Sequence, residues 1–547
     1  MNFLGIDVRD LDLDAFFRSG RIVYLAAYFA WLLFLVRGRR RAGVWGPVLL
    51  ALVVWAVTSF PLLRPYGLQV PSDRLRQLWW CATAAAGNPP WESGIMGQRT
   101  IEPLWSLLVS LVALRDPARV IAVYPFLPVL GFVLTGAALG WAFRSRPLCG
   151  LFVAFFVLLA ATQPLDYLEP FRNFWARHFL LKPNHALGLA LVPVLVGVLS
   201  APLTTARALG TAALLSLLGW VFVVDWALFC ASLVCFVLLA AIHGTPVRGA
   251  ALARLAAVLA GSALLVAPYV LYLTRFFPNA VSLSAGESVT APMRSPWGDE
   301  RPAAHSLLFL ATFDLGPHFP LALYGAWTSW RRGRRADLLW LGVLAAAYAA
   351  WAVTAALFAM ARARAADEVY WFLAFAVAVH AGVGAHALVW RAAAARRRAV
   401  PFSRLRTPRR LAAAALLLWF PFTLGWWWDP ARMDAHFVAA REPVPSEMEA
   451  LAVWLRHQTR GSDVVLAGGD AAAWVPALSG RRVMRVEPGP QAAGGGPAEL
   501  RDRWGVRVIV WEIPPGAVRL TSDPRASQTL VREVYRTERI TAYLLGP

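Results

Sequence analysis

Seven side chains in this sequence have the types and the setting to do chemistry at a membrane surface: Asp73, Asp166, Glu169, Arg172, Arg177, His178 and Lys182. Asp73 is the first acid of QVPSDRLRQLWWCATAAAGNPPWE, residues 69–92. A lone carboxylate of this kind can take the proton from a hydroxyl and turn it into a nucleophile. At the head of a helix it is also a plain cap, favoured by the helix dipole. Spacing leaves both readings open. The other six lie in PLDYLEPFRNFWARHFLLKPNHALG, residues 164–188. Its cations can hold a phosphate through charge-assisted hydrogen bonds. Phe171, Phe174 and Trp175, interleaved with them, can grip a lipid chain. The same pattern describes an interfacial loop whose long cations reach back to water. Lys182 is the only lysine beside 52 arginines, and a compact ammonium is not interchangeable with a guanidinium.

The elements that must position these groups are apolar helices. The hydrophobic fraction is 58% and the mean hydropathy +0.53. Apolar runs recur from residue 21 to residue 427, and several reach the roughly 20 residues that cross a bilayer core. Spanning segments must satisfy their own backbone hydrogen bonds, which selects helices. The acidic start, DVRDLDLD, does not read as a cleavable signal.

The net charge of +21 comes from arginines clustered in short breaks: 37–41, 144–146, 331–335 and 391–410. The preference for positive charge on the cytoplasmic side, with attraction to anionic lipids, accounts for them without nucleic acid. With those breaks inside, the chain reads as about twelve spans. These include single crossings at 21–36, 45–63, 117–142 and 411–427, and a pair of short helices over 208–242 around Asp225. Residues 103–114 are apolar but short, and read as a re-entrant or interfacial helix. Three polar stretches then face outward: about 64–116, 163–182 and 274–304. The last, with Glu287, Arg294, Asp299, Glu300 and Arg301, reads either as a lid or as a connector. In the first, Leu75, Leu78, Trp79, Ala82 and Ala86 make one apolar helical face that Gly87-Asn88-Pro89-Pro90 ends. Trp79, Trp80 and Trp91 suit the lipid headgroup region.

Cysteines 81, 149, 230 and 235 show no disulfide or metal spacing. The tail, 428–547, changes to alternating helix and strand. Residues 445–458, AAAWVPAL and PAELRDRW read as helices; 463–468, 481–486, 506–512 and 540–545 read as strands. Such alternation predicts a small α/β domain with a mostly parallel sheet. The domains are thus 1–427 in the membrane and 428–547 outside it. The Gly-rich QAAGGGPAE lacks the order of a nucleotide-binding turn.

Three stretches resemble the GT-C superfamily of membrane glycosyltransferases: SDRLRQLWWCATAAAGNPPW followed by EPLWSLLVSLVAL, then LLKPNHALGLALVPVLVG, and the tail from PSEMEALAVWLRHQ onward. The resemblance covers nearly the whole chain. It implies a polytopic α-helical fold and transfer of a hexosyl or pentosyl group from a polyprenyl-phosphate donor to a lipid or glycan acceptor. It implies Asp73 as base, the 172–182 cations at the lipid phosphate, and Asp166 or Glu169 on sugar hydroxyls. Many members carry paired acids in the first loop. Here Ser72-Asp73-Arg74 has one, so a divalent metal has no paired-acid motif to support it. The Ala/Arg-rich composition fits a GC-rich bacterium; the resemblance implies its inner membrane, and the span count puts the tail outside. The competing reading is a transporter or flippase for a lipid-linked or polar solute. That predicts internal repeats and charges at mid-membrane depth, of which Asp225 and Asp314 are the nearest instances. A third is a non-catalytic envelope scaffold with the tail as binding module.

Overall fold

The computed structural model describes residues 2–3, 6–7, 73–124, 127–158, 183–277, 315, 318–361, 366–399, 446–469, 471–485, 497–512, 531–537 and 540–545. The expected spans at 21–36, 45–63 and 411–427 lie outside the described residues, as does the 274–304 stretch beyond residue 277. The chain divides into two compact units. One comprises Met1–Pro61 with Pro128–Asp434, the other Leu62–Leu127 with Ala435–Pro547.

After a two-residue ladder of β1 (Asn2–Phe3) with β2 (Ile6–Asp7) come three helices of the second unit. They are α1 (Asp73–Ala85), α2 (Pro103–Val112) and α3 (Pro117–Val123). Pro103 and Pro117 each sit at the first helical position, where a missing N–H costs nothing. Asp116 caps α3 by accepting from the Ala118 N–H at 2.9 Å. The ten residues of α2 span about 15 Å, half of what a bilayer core demands. The expected single crossing over 117–142 is two helices: α3, then α4 (Leu127–Ala142). Hydropathy runs unbroken across both, so the pattern alone merges them.

The first unit continues with α5 (Pro147–Leu158), α6 (Pro183–Leu199), α7 (Thr205–Val221), α8 (Val223–Ile242), α9 (Ala250–Phe276), α10 (His318–Arg332), α11 (Arg335–Ala361) and α12 (Ala366–Ala399). As expected, 208–242 is two helices; the break is at Phe222, whose extended backbone (φ −154°, ψ 100°) interrupts the helical run. Every residue of α5 from Cys149 to Leu158 is buried, as a helix that is apolar all round should be. Where α10 crosses α12, backbones touch: a Cβ on Gly325 would lie 2.0 Å from the His380 carbonyl oxygen, and one on Gly384 2.1 Å from that of Leu321. Close approach through small residues is how apolar helices gain packing where lipid competes for their surface. Among the described residues, four helices have segments long and apolar enough to cross a membrane: Val223–Ile242, Ala250–Phe276, Arg335–Val353 and Val369–Ala392. The chain is a polytopic α-helical membrane protein.

Contacts sort the ends of this bundle. Arg146 pairs with Asp337 at 2.6 Å, joining the α4–α5 turn to the start of α11. Arg335 Nε donates to the Leu199 carbonyl at 2.8 Å, and His243 Nε2 lies 3.0 Å from the Trp330 carbonyl. The breaks at 144–146 and 331–335 therefore share one end with the C-termini of α6, α8 and α10. Arg391 stacks over Trp327 at 4.8 Å and belongs to the same end.

The tail supplies α13 (Ser446–Gln458), β3 (Val464–Ala467), α14 (Ala471–Ser479), β4 (Arg482–Arg485), α15 (Pro497–Trp504), β5 (Val506–Glu512), β6 (Val531–Arg536) and β7 (Ile540–Leu545). The five strands run in the order β4-β3-β5-β7-β6. Pairs β3–β4 and β3–β5 are parallel, while β5–β7 and β6–β7 are antiparallel. The sheet is thus half antiparallel, not mostly parallel. The parallel strands β3, β4 and β5 alternate with α14 and α15, while the unforeseen β6 pairs antiparallel beside β7. Val464, Leu466, Leu500, Val506 and Leu545 form its core, with Met96 packed against them.

Candidate active site

Asp73 is the first residue of α1, where a carboxylate complements the helix dipole. Gln77 follows Asp73 by one turn of the helix. Gln77 is buried. Its side-chain N–H donates to Glu102 at 3.2 Å, and its carbonyl oxygen accepts from the Tyr124 hydroxyl. Glu102 immediately precedes α2, and Tyr124 closes α3. One amide therefore ties the three helices together a single turn beyond Asp73. Hydrogen bonds to an ionised group are the stronger kind, about 1.5–3 kcal/mol each. Cys81, one further turn along, is fully buried; burial pushes its thiol well above its ordinary value, and the Glu102 charge adds to the effect.

The opposite face of α1 is held by the tail. Trp79 is buried and its indole N–H donates to the Ala473 carbonyl in α14 at 2.6 Å. This corrects the expectation that Trp79 sits among lipid headgroups: its N–H finds a protein carbonyl instead. Trp91, 47% exposed, stays on the surface. Asn88 donates to the Gly461 carbonyl at 3.0 Å. The loop after it lies along β4: Met96 N–H donates to the Val483 carbonyl at 2.7 Å, and Val483 N–H to that of Gly94 at 2.8 Å. That loop covers a strand edge which would otherwise present unpaired backbone groups. Arg482 and Glu92 add an ion pair at 3.1 Å.

In the helical unit, a second polar group sits inside the bundle. His185 Nε2 lies 3.2 Å from Asp225 Oδ1, and neither side chain is exposed. Phe222 stacks on the imidazole with ring centroids 4.0 Å apart. The Phe222 break places Asp225 in the first turn of α8, away from the arginine-rich end. The pair pins the start of α6 to the start of α8.

Of the seven expected site residues, only Asp73 falls among the described ones, and of it the helix position alone. Asp166, Glu169, Arg172, Arg177, His178 and Lys182 lie outside the described residues. Gln77, Glu102 and Tyr124 were not foreseen. Their partners are 25 and 47 residues apart, and no local period links them. Among the described residues no three His, Cys, Asp or Glu side chains gather into a metal-holding group.

No family model matches the chain, and no curated protein matches it. Solved structures do. ArnT from Cupriavidus metallidurans in the apo state aligns with TM-score 0.52 and 14% identity, over 92% of this chain and 98% of that one. ArnT from the same organism bound to undecaprenyl phosphate aligns with TM-score 0.50 and 14% identity over the same shares of both chains. The oligosaccharyltransferase AglB from Archaeoglobus fulgidus, in complex with an inhibitory peptide and a dolichol-phosphate, gives TM-score 0.46 at 13% identity, over 84% of this chain and 69% of that one. This chain has the GT-C fold. Within this fold, the helix that Asp73 opens is fixed on one side by Gln77 and on the other by Trp79.

Proposed function

We propose that the chain is a glycosyltransferase that moves a hexosyl or pentosyl group from a polyprenyl-phosphate donor to a lipid or glycan hydroxyl outside the cytoplasm. The observation that carries this reading is the GT-C fold over 92% of the chain, with Asp73 at the head of the first described helix. The likeness to ArnT bound to undecaprenyl phosphate supports the donor class. The arginine-rich end of the bundle, read as cytoplasmic, supports an outward position for the His185–Asp225 end.

The chemistry follows from the groups. Asp73 accepts the proton of the acceptor hydroxyl. The acceptor oxygen bonds to the anomeric carbon as the carbon–oxygen bond to the lipid phosphate breaks, in one inverting displacement. The electron pair leaves on the polyprenyl phosphate, where fixed cations offset the growing charge. Arg172, Arg177, His178 and Lys182 take that role, and Asp166 and Glu169 bind sugar or acceptor hydroxyls. The helix α1 must hold Asp73 to within a fraction of an ångström for this to work, which the Gln77 and Trp79 anchors favour.

The test incubates purified full-length protein with a polyprenyl-phosphate sugar and an acceptor lipid, and measures release of polyprenyl phosphate. Asp73→Asn is expected to lose about 10²- to 10⁴-fold in turnover, while the exposed Asp502→Asn keeps it. Equal turnover in wild type and Asp73→Asn removes Asp73 from the mechanism.

A further inference from the structure

The arginine-rich end of the bundle holds a polar cluster that the proposed reaction does not use. Arg146 gives one nitrogen, Nη2, to Asp337 at 2.6 Å. Its Nε and Nη1 are buried without a hydrogen-bond partner among the described residues. The same holds for Arg332 Nη1, His386 Nδ1 and Asp337 Oδ2. Arg332 closes α10 and Asp337 opens α11 just after it, Arg146 bonds Asp337, and His386 packs edge-on against Phe152 of the helix that Arg146 precedes, with ring centroids 6.0 Å apart, so the group is one neighbourhood.

The group thus has three unmet guanidinium nitrogens and one unmet carboxylate oxygen. Leaving such donors dry is costly, and more so when they are charged. Water can fill polar gaps, but it brings as many donors as acceptors and no charge. Two guanidinium charges against one carboxylate leave the cluster net positive. What satisfies both the donor excess and the charge is an anion rich in acceptor oxygens, and phosphate is the usual match for guanidinium forks.

The surroundings select its source. Trp390 is 54% exposed and Trp327 41% exposed at the same end of the bundle. Trp390 stacks on His386 with centroids 6.1 Å apart. Exposed tryptophans beside arginines mark the headgroup level of a bilayer, and basic pockets between helix ends there bind anionic lipids. We infer that Arg146 and Arg332, with His386 beside them, form a binding site for the phosphate of an anionic lipid at the arginine-rich end. The lipid's acyl chains run down the bundle past Trp327 and Trp390.

The test uses full-length protein in detergent, loaded with phosphatidylglycerol, phosphatidylcholine or inorganic phosphate, and reads retained lipid by native mass spectrometry and thermal stability. Wild type is expected to retain phosphatidylglycerol at least 10-fold better than phosphatidylcholine. Arg332→Gln, which breaks no observed ion pair, is expected to lose that preference, as is the double variant Arg146→Gln/Asp337→Asn. The exposed Arg248→Gln keeps it. Equal retention of the two lipids, or a preference that survives Arg332→Gln, overturns the site. Stabilisation by inorganic phosphate with none from phosphatidylglycerol overturns the lipid as its occupant.

Discussion

The position of Asp73 depends on whether the tail holds α1 in place, and a substitution at Trp79 measures that hold. Trp79→Phe keeps an aromatic ring but removes the N–H that bonds to Ala473 at 2.6 Å. Ala473 lies within α14, whose own ladder also uses this carbonyl, so the loss is that of one hydrogen bond, about 0.5–1.5 kcal/mol. The ion pair Arg482–Glu92 is 26% and 31% exposed on its two side chains, and a solvated pair contributes only about 0.2–1 kcal/mol. The indole is therefore the larger anchor. Cys81 reports the opening directly, since it sits on α1 with no exposure. With Cys149, Cys230 and Cys235 replaced by alanine, maleimide reacts only when α1 comes away. At about 1.4 kcal/mol per decade, Trp79→Phe is expected to speed Cys81 labelling about 2- to 12-fold, and Arg482→Gln less than about 5-fold. Turnover with a polyprenyl-phosphate sugar should fall with the same ranking. Labelling at the wild-type rate in Trp79→Phe would refute the claim that the tail fixes this helix.

Cys81 makes a second prediction through pH. Its thiol is held well above its ordinary 9.0, so above pH 9 the unfolded chain loses a proton that the folded chain keeps. Stability then falls as pH rises, by at most about 1.4 kcal/mol per unit from this group; Cys81→Ala should remove that part of the slope in denaturation profiles between pH 8 and 10.5. Gly480 has φ +69°, and a Cβ there would lie 2.6 Å from the Ala82 carbonyl oxygen. Gly480→Ala should cost about 1–3 kcal/mol from crowding alone, seen as faster Cys81 labelling. His185→Leu leaves Asp225 buried without this hydrogen-bond partner and should cost about 1–3 kcal/mol, whereas His185→Leu/Asp225→Leu should recover most of it. Thermal unfolding of both variants in detergent checks this, and a double variant as weak as the single one would contradict the pairing.

Much of the local structure is written in the sequence. Pro103 and Pro117 open helices; Gly87-Asn88-Pro89-Pro90 ends α1; the tail shows its helices at 446–458, 471–479 and 497–504 and most of its strands. These are short-range signals, fixed by backbone geometry and by apolar periodicity within one element. The clustering of arginine at 144–146 and 331–335 likewise foretold a shared end, because charge is excluded from hydrocarbon wherever the chain folds. What faces what was not legible. The apolar stripe of α1 is equally suited to lipid and to protein, and only the arrival of Ala473, 394 residues away, makes Trp79 interior. His185 and Asp225 are visible as two polar residues near helix ends, yet their 3.2 Å contact needs α6 and α8 side by side. Gln77, Glu102 and Tyr124 carry no local signature as a network. A sequence records the preference of each residue for burial, charge or turn; its partner is chosen by long-range packing, which alone decides whether a buried polar group is satisfied.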